Sequence, residues 1–94
     1  MSGGTDVIRR RVIAHGRVQG VFFRASVERL AGSRGVAGSA RNCADGSVEA
    51  IFEGPAGAVE ELVAYCHDGP RGAHVRGVDV VEEKPEGISG FSVR

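Results

Sequence analysis

From Val7 to His15 apolar and polar positions alternate, with Val12 and Ala14 on one face and Arg9, Arg11 and Ile13 on the other. That is the two-residue period of a strand with one face buried. Gly16 ends the run, and a glycine-bracketed turn, Gly16 to Gly20, precedes a change of period. Phe23, Val27, Leu30 and Ala31 recur at helical spacing with Ser26, Glu28 and Arg29 between them, which predicts an amphipathic helix closed by Gly32 to Gly35. Val36 to Asn42 is a strand of low propensity, because Gly38, Ser39 and Ala40 are poor strand formers. Its neighbour supports it: Asp45-Gly46 is a hairpin signal, and Ser47 to Gly54 sets Val48, Ala50 and Phe52 on one face against Glu49 and Glu53 on the other. Gly54-Pro55 then starts a second helix, with Val59, Leu62, Val63 and Cys66 as its apolar stripe and Asp68, Gly69 and Pro70 as its stop. Val75, Val78 and Val80 predict a fourth strand, Glu82 to Gly90 a polar loop, and Phe91 with Val93 a short closing strand.

Two striped helices need a sheet to cover. The order β-α-β-β-α-β predicts the α+β, ferredoxin-like sandwich, an antiparallel sheet with both helices on one face. At 94 residues there is room for one core, so residues 7–94 form a single domain preceded by a flexible N-terminal segment, 1–6. The fold hosts many functions and names none. Composition narrows the field. Twelve basic and twelve acidic residues cancel, which removes the basic field of non-specific nucleic-acid binding and makes any anion site a local one. The opening MSGGTDV carries no apolar stretch and no later run approaches membrane-spanning length, so a cytoplasmic protein without membrane attachment is expected. Cys43 and Cys66 lack metal-ligand spacing and are read as free thiols or small apolar residues. His15, His67 and His74 form no metal-ligand pattern either, so no metal is expected.

The chemistry concentrates in Gly16-Arg17-Val18-Gln19-Gly20-Val21-Phe22-Phe23-Arg24, between the first strand and the first helix. A turn entering a helix offers unpaired N–H groups and the positive end of the helix dipole, both favourable to an anion. Arg24 stands in or near the first helical turn, where a cation is disfavoured by roughly 0.3–1 kcal/mol unless an anion lies between. On the residues alone, a solvated arginine beside structural glycines is the favoured reading over an anion site. Familiar phosphate loops are absent: there is no GxxxxGK[ST] and no GxGxxG. No cysteine has an arginine six positions on, since Cys43 reaches Glu49 and Cys66 reaches Gly72.

The stretch GRVQGVFFR resembles the signature of the acylphosphatase family, and Arg41-Asn42-Cys43-Ala44-Asp45-Gly46-Ser47-Val48-Glu49 resembles its second motif, an asparagine three residues before a DG turn. Gly69-Pro70, Ala73, Val75 and Ser89-Gly90-Phe91 are similar to its closing pattern, so the resemblance spans nearly the whole chain. It implies a ferredoxin-like fold, no cofactor, and hydrolysis of acyl phosphates to a carboxylate and phosphate. It also implies Arg24 as phosphate ligand and Asn42 as the residue that orients water. One departure is Ser39 and Ala40, where members of the family often carry larger residues; it bears on packing near Asn42, on stability and on rate.

The implied reaction suits so sparse a site. Its leaving group is a carboxylate, which departs without a proton, so no general acid is needed. A loose transition state asks for positioning and for charge stabilisation on the phosphoryl oxygens. Arg24 and the backbone of Val18, Gln19, Gly20, Val21, Phe22 and Phe23 can supply both. Asn42, a neutral amide and a poor base, can hold water but not deprotonate it; near a hairpin it could equally be a turn former. Gln19 is expected to shape the loop, Val18 and Val21 to line it, and Phe22 and Phe23 to anchor the helix in the core. Arg17 faces either solvent or the anion. The expected partner is a small acyl phosphate, with no nucleic acid, no membrane and a monomeric chain. Two other classes compete: a binding module such as an RNA-binding domain, disfavoured because the strands offer Ile13, Glu49, Ile51 and Glu53 rather than aromatic platforms, and a phosphate cradle without turnover.

Overall fold

A computed structural model describes residues 6–94, so Met1 to Thr5, most of the expected N-terminal segment, lie outside the described residues. Alternation and helical period become seven elements: β1 (Val7–Arg17), α1 (Phe23–Arg34), β2 (Ala37–Asn42), β3 (Val48–Pro55), α2 (Ala56–Asp68), β4 (His74–Glu83) and β5 (Phe91–Val93). The sheet order is β4-β1-β3-β2-β5. β1 pairs antiparallel with β3 and β4, and β3 antiparallel with β2, as expected of the ferredoxin-like order. The antiparallel expectation needs one amendment, because β5 lies parallel to β2, with Gly38 opposite Phe91. After β4 the chain crosses to the far edge before re-entering the sheet, and the crossing reverses its direction once more.

Period two places Val12 and Ala14 of β1, Ala40 of β2, and Val48, Ala50 and Phe52 of β3 on the helix-covered face, where they meet Phe23, Val27 and Ala31 of α1 and Val59, Leu62 and Cys66 of α2. α1 ends at Arg34, within the Gly32 to Gly35 segment expected to close it. Its terminus is set by Gly35, whose left-handed φ of 69° lets the Val36 N–H reach the Ala31 carbonyl at 2.9 Å. Pro55 immediately precedes α2, a position where its missing N–H removes no helical bond.

The opposite face of the sheet carries ion pairs. Arg9, with a side chain only 10% exposed, meets Glu53 at 3.1 Å and Glu83 at 2.9 Å, while Glu49 pairs with Arg41 at 2.8 Å and with Arg11 at 3.5 Å. Glu53 is buried and also accepts the N–H groups of Glu86, Gly87 and Ile88 at 3.0, 2.7 and 3.3 Å. One carboxylate thus fastens the crossover between β4 and β5 to the sheet. Burial opposes its charge, but the donors from Glu86, Arg9, Gly87 and Ile88 prevail and hold its carboxyl below the ordinary range.

Candidate active site

β1 does not stop at Gly16. A bulge between His15 and Gly16 carries pairing on to Arg17, opposite His74. Gly16 sits at φ 121°, and a Cβ there would lie 2.1 Å from the His74 carbonyl oxygen, so only glycine permits the close approach that re-aims the chain into the loop. Val18 then drops into the core at 1% exposure, and Val21 packs against the core's edge. The Gln19 amide donates to the carbonyls of Cys43 and Ser47 at 2.8 and 2.9 Å. That amide ties the loop to the β2–β3 hairpin, the structural role expected of it.

Among the described residues, none of the backbone N–H groups from Val18 to Ala25 donates to a protein acceptor; the first bond of the helix is Ser26 N–H to the Phe22 carbonyl at 2.9 Å. A row of unpaired donors at the start of a helix is the electrostatic complement of an anion. Arg24 is half-buried beside them, its guanidinium donating to the main-chain carbonyl of Arg94 just past β5. Arg94 in turn donates its N–H to Ala40 at 2.9 Å, so β5 links the arginine to the sheet.

Asn42 ends β2 opposite Val48, and its exposed side chain has no hydrogen-bond partner among the described residues. The hairpin that follows is turned by Asp45, whose carboxylate accepts the Ser47 hydroxyl at 2.6 Å and the Ser47 N–H at 2.9 Å. The same two donors, hydroxyl first, hold the Asp45 carboxyl below its usual range. Asn42 is therefore not the side chain that makes the turn. Arg24 and Asn42 line a single cavity of about 260 Å³ with Val18, Gly20, Phe22, Phe23, Ala25 and Val93.

The family profile for acylphosphatase matches residues 10–93. An acylphosphatase of Rubrobacter xylanophilus is 54% identical to this chain over 95 residues, covering 100% of it and 86% of the relative. The chain belongs to the acylphosphatase family. Solved structures agree. An acylphosphatase from Coxiella burnetii superposes with a TM-score of 0.90 at 34% identity, covering 95% of this chain and 94% of that one. One from Bacillus subtilis gives 0.88 at 38%, covering 93% and 98%.

Within this acylphosphatase fold, one expectation about the loop needs correcting. Phe23 anchors α1 at 2% exposure, but Phe22 does not: it is 81% exposed, because its left-handed φ of 59° turns the side chain away from the core. Val18 lines the cavity and is also a buried core residue, whereas Val21 packs against the core and is not among the residues of the cavity wall. Arg17 is exposed. The Arg94 carbonyl and Val93 were not foreseen. Only the pairing of β5 with β2 brings them near Arg24, and a three-residue strand carries no signal of its partner. Both cysteines are free thiols, and burial pushes Cys66 up to about 12. Among the described residues no three His, Cys, Asp or Glu side chains converge as a metal site, and no helix is long and apolar enough to cross a membrane.

Proposed function

We propose that this protein hydrolyses acyl phosphates to a carboxylate and inorganic phosphate without a metal ion. The observation that carries the reading is the row of unpaired N–H groups from Val18 to Ala25, six of whose residues line one cavity with Asn42. In this mechanism the amides of residues 18–23 and the Arg24 guanidinium surround the phosphoryl oxygens, where a loose transition state spreads its charge. The Arg94 carbonyl occupies one guanidinium donor and orients the rest. Asn42, free of structural hydrogen bonds, accepts from a water and holds it in line with the phosphorus. The carboxylate leaves unprotonated, and the proton of the attacking water passes to the phosphate or to solvent. Among the described residues a single charged side chain lines the cavity, which matches a reaction that needs no acid. The free thiols fit a reducing, cytoplasmic setting, and a monomer suffices because every named group comes from one chain.

The test is release of phosphate from benzoyl phosphate in the presence of a chelator. Wild type should exceed the spontaneous rate. Arg24→Gln should lower kcat/KM by about 100-fold and weaken inhibition by inorganic phosphate. Asn42→Ala should lower kcat by about 100-fold while leaving phosphate inhibition nearly intact. No turnover by wild type would remove the enzymatic reading, and full activity in both variants would remove the residue assignments.

A further inference from the structure

The Phe22 side chain is left unused by the phosphate chemistry. Phe22 is the one non-glycine among the described residues with a positive φ, and at 81% it is the most exposed large apolar side chain among them. An L-residue in the left-handed region carries a steric penalty that glycine avoids, and an exposed ring adds a penalty of hydration. Packing compensates neither. The ring is absent from the core and from the one aromatic stack, Phe52 on Phe91. The local duty of its backbone, accepting the Ser26 N–H, could be met by glycine. It is therefore the side chain, not the position, that asks for a use.

The cavity supplies one. Its lining divides into a polar part, Arg24, Asn42 and the loop amides, and an apolar part made by the Phe22 ring, Val93 and Ala25. Val93, 39% exposed, is another of the exposed large apolar residues, so two of the chain's exposed hydrophobes meet at one opening. A phosphate fixed by the polar part leaves whatever is attached to it beside the hydrocarbon. Among the described residues no cation besides Arg24 lines the cavity, so none of them recognises a second negative charge on the acyl half.

We propose that Phe22 and Val93 form an acyl-group subsite that favours acyl phosphates with a planar apolar acyl group over small ones. The proposal rests on the acyl-phosphate reading above. A ring that stacks on or meets the edge of an aromatic acyl group covers apolar surface on both, and the contact persists into the transition state, so it acts on kcat/KM.

The experiment compares benzoyl phosphate with acetyl phosphate in wild type, Phe22→Gly, Phe22→Asn and Phe22→Trp. Glycine and asparagine both tolerate the left-handed backbone, so the loop is retained as the ring is lost. The benzoyl-to-acetyl ratio of kcat/KM should fall about tenfold in the glycine and asparagine variants and be kept by tryptophan. A change in the loop backbone that Phe22 shares with the phosphate site alters both substrates alike and leaves the ratio unchanged, so the ratio reads the ring. An unchanged ratio, or a parallel loss on both substrates together with phosphate affinity, overturns the subsite while acyl-phosphate hydrolysis stands. Failure of wild type to hydrolyse either substrate overturns both.

Discussion

Gly38 and Phe22 both hold positive φ, one by necessity and the other against steric preference. At Gly38 a Cβ would lie 1.7 Å from the Ile51 carbonyl oxygen, which is backbone inside the β2–β3 ladder and has nowhere to move. Gly38→Ala should therefore destabilise by about 3 kcal/mol or more, read as a lower urea midpoint at unchanged slope. The cysteines differ by burial. Cys66 is fully enclosed and its thiol is pushed up to about 12, whereas Cys43 is half-buried beside Asn42. A thiol reagent at pH 8 should modify one cysteine in the folded protein and two in denaturant, with Cys43 identified by mass. At this scale the sequence was legible wherever residue type and period agree. Val12, Phe23, Val27 and Leu62 fall on their stripes and are buried. Phe22 lies one residue off the stripe that begins at Phe23, and its exposure follows from a backbone dihedral that apolar character does not encode.

Among the elements, the long strands and both helices could be read from hydrophobic period, because each buries one face against the other layer. The crossover from residue 84 to 90 could not. It has no period, and its order comes from a contact remote in sequence, the Glu53 carboxylate receiving three of its N–H groups. Glu49 and Glu53 occupy equivalent outward positions on β3, yet only Glu53 is buried, since the crossover passes over that end of the sheet. The consequence is a pH dependence of definite sign. Desolvation pushes the Glu53 carboxyl up, but donors from the Glu86 N–H, Arg9 and the Gly87 and Ile88 N–H groups outweigh it, so its folded value lies below the ordinary 4.5. The stability it contributes is complete above 4.5 and is lost as pH falls through the lower folded value. Glu83 and Asp45, also held low, act in the same direction. Glu53→Gln should cost about 3 kcal/mol at neutral pH, because it leaves Arg9 and the crossover amides short of an acceptor. Its urea midpoint should also fall less steeply than that of wild type below about pH 4.5, with the remaining slope set by Glu83 and Asp45.

In the whole molecule, the crossover and β5 bring Arg94 to Arg24 of the candidate site. β5 is only three residues, but three effects meet in it. It satisfies the outer edge of β2 through the Gly38 N–H to Gly90 and the Arg94 N–H to Ala40, both at 2.9 Å. It places the Phe91 ring 6.2 Å from Phe52, a fully buried core residue. It also presents the Arg94 carbonyl to Arg24. A chain ending at Ser89 loses all three, whereas Phe91→Ala loses only the ring. Both should be destabilised by about 3 kcal/mol or more in thermal or urea unfolding, since each removes a large side chain packed against the core. Their phosphate sites should separate. With the strand and its carbonyl retained, Phe91→Ala keeps inhibition by inorganic phosphate near the wild-type value at temperatures where it is folded. The truncated chain, its Arg24 released, should need about tenfold more phosphate for the same inhibition, the weakening expected when a guanidinium must be ordered by the ligand itself. Equal phosphate inhibition in the two variants would mean that the loop amides alone position the anion and that the Arg94 contact serves the fold.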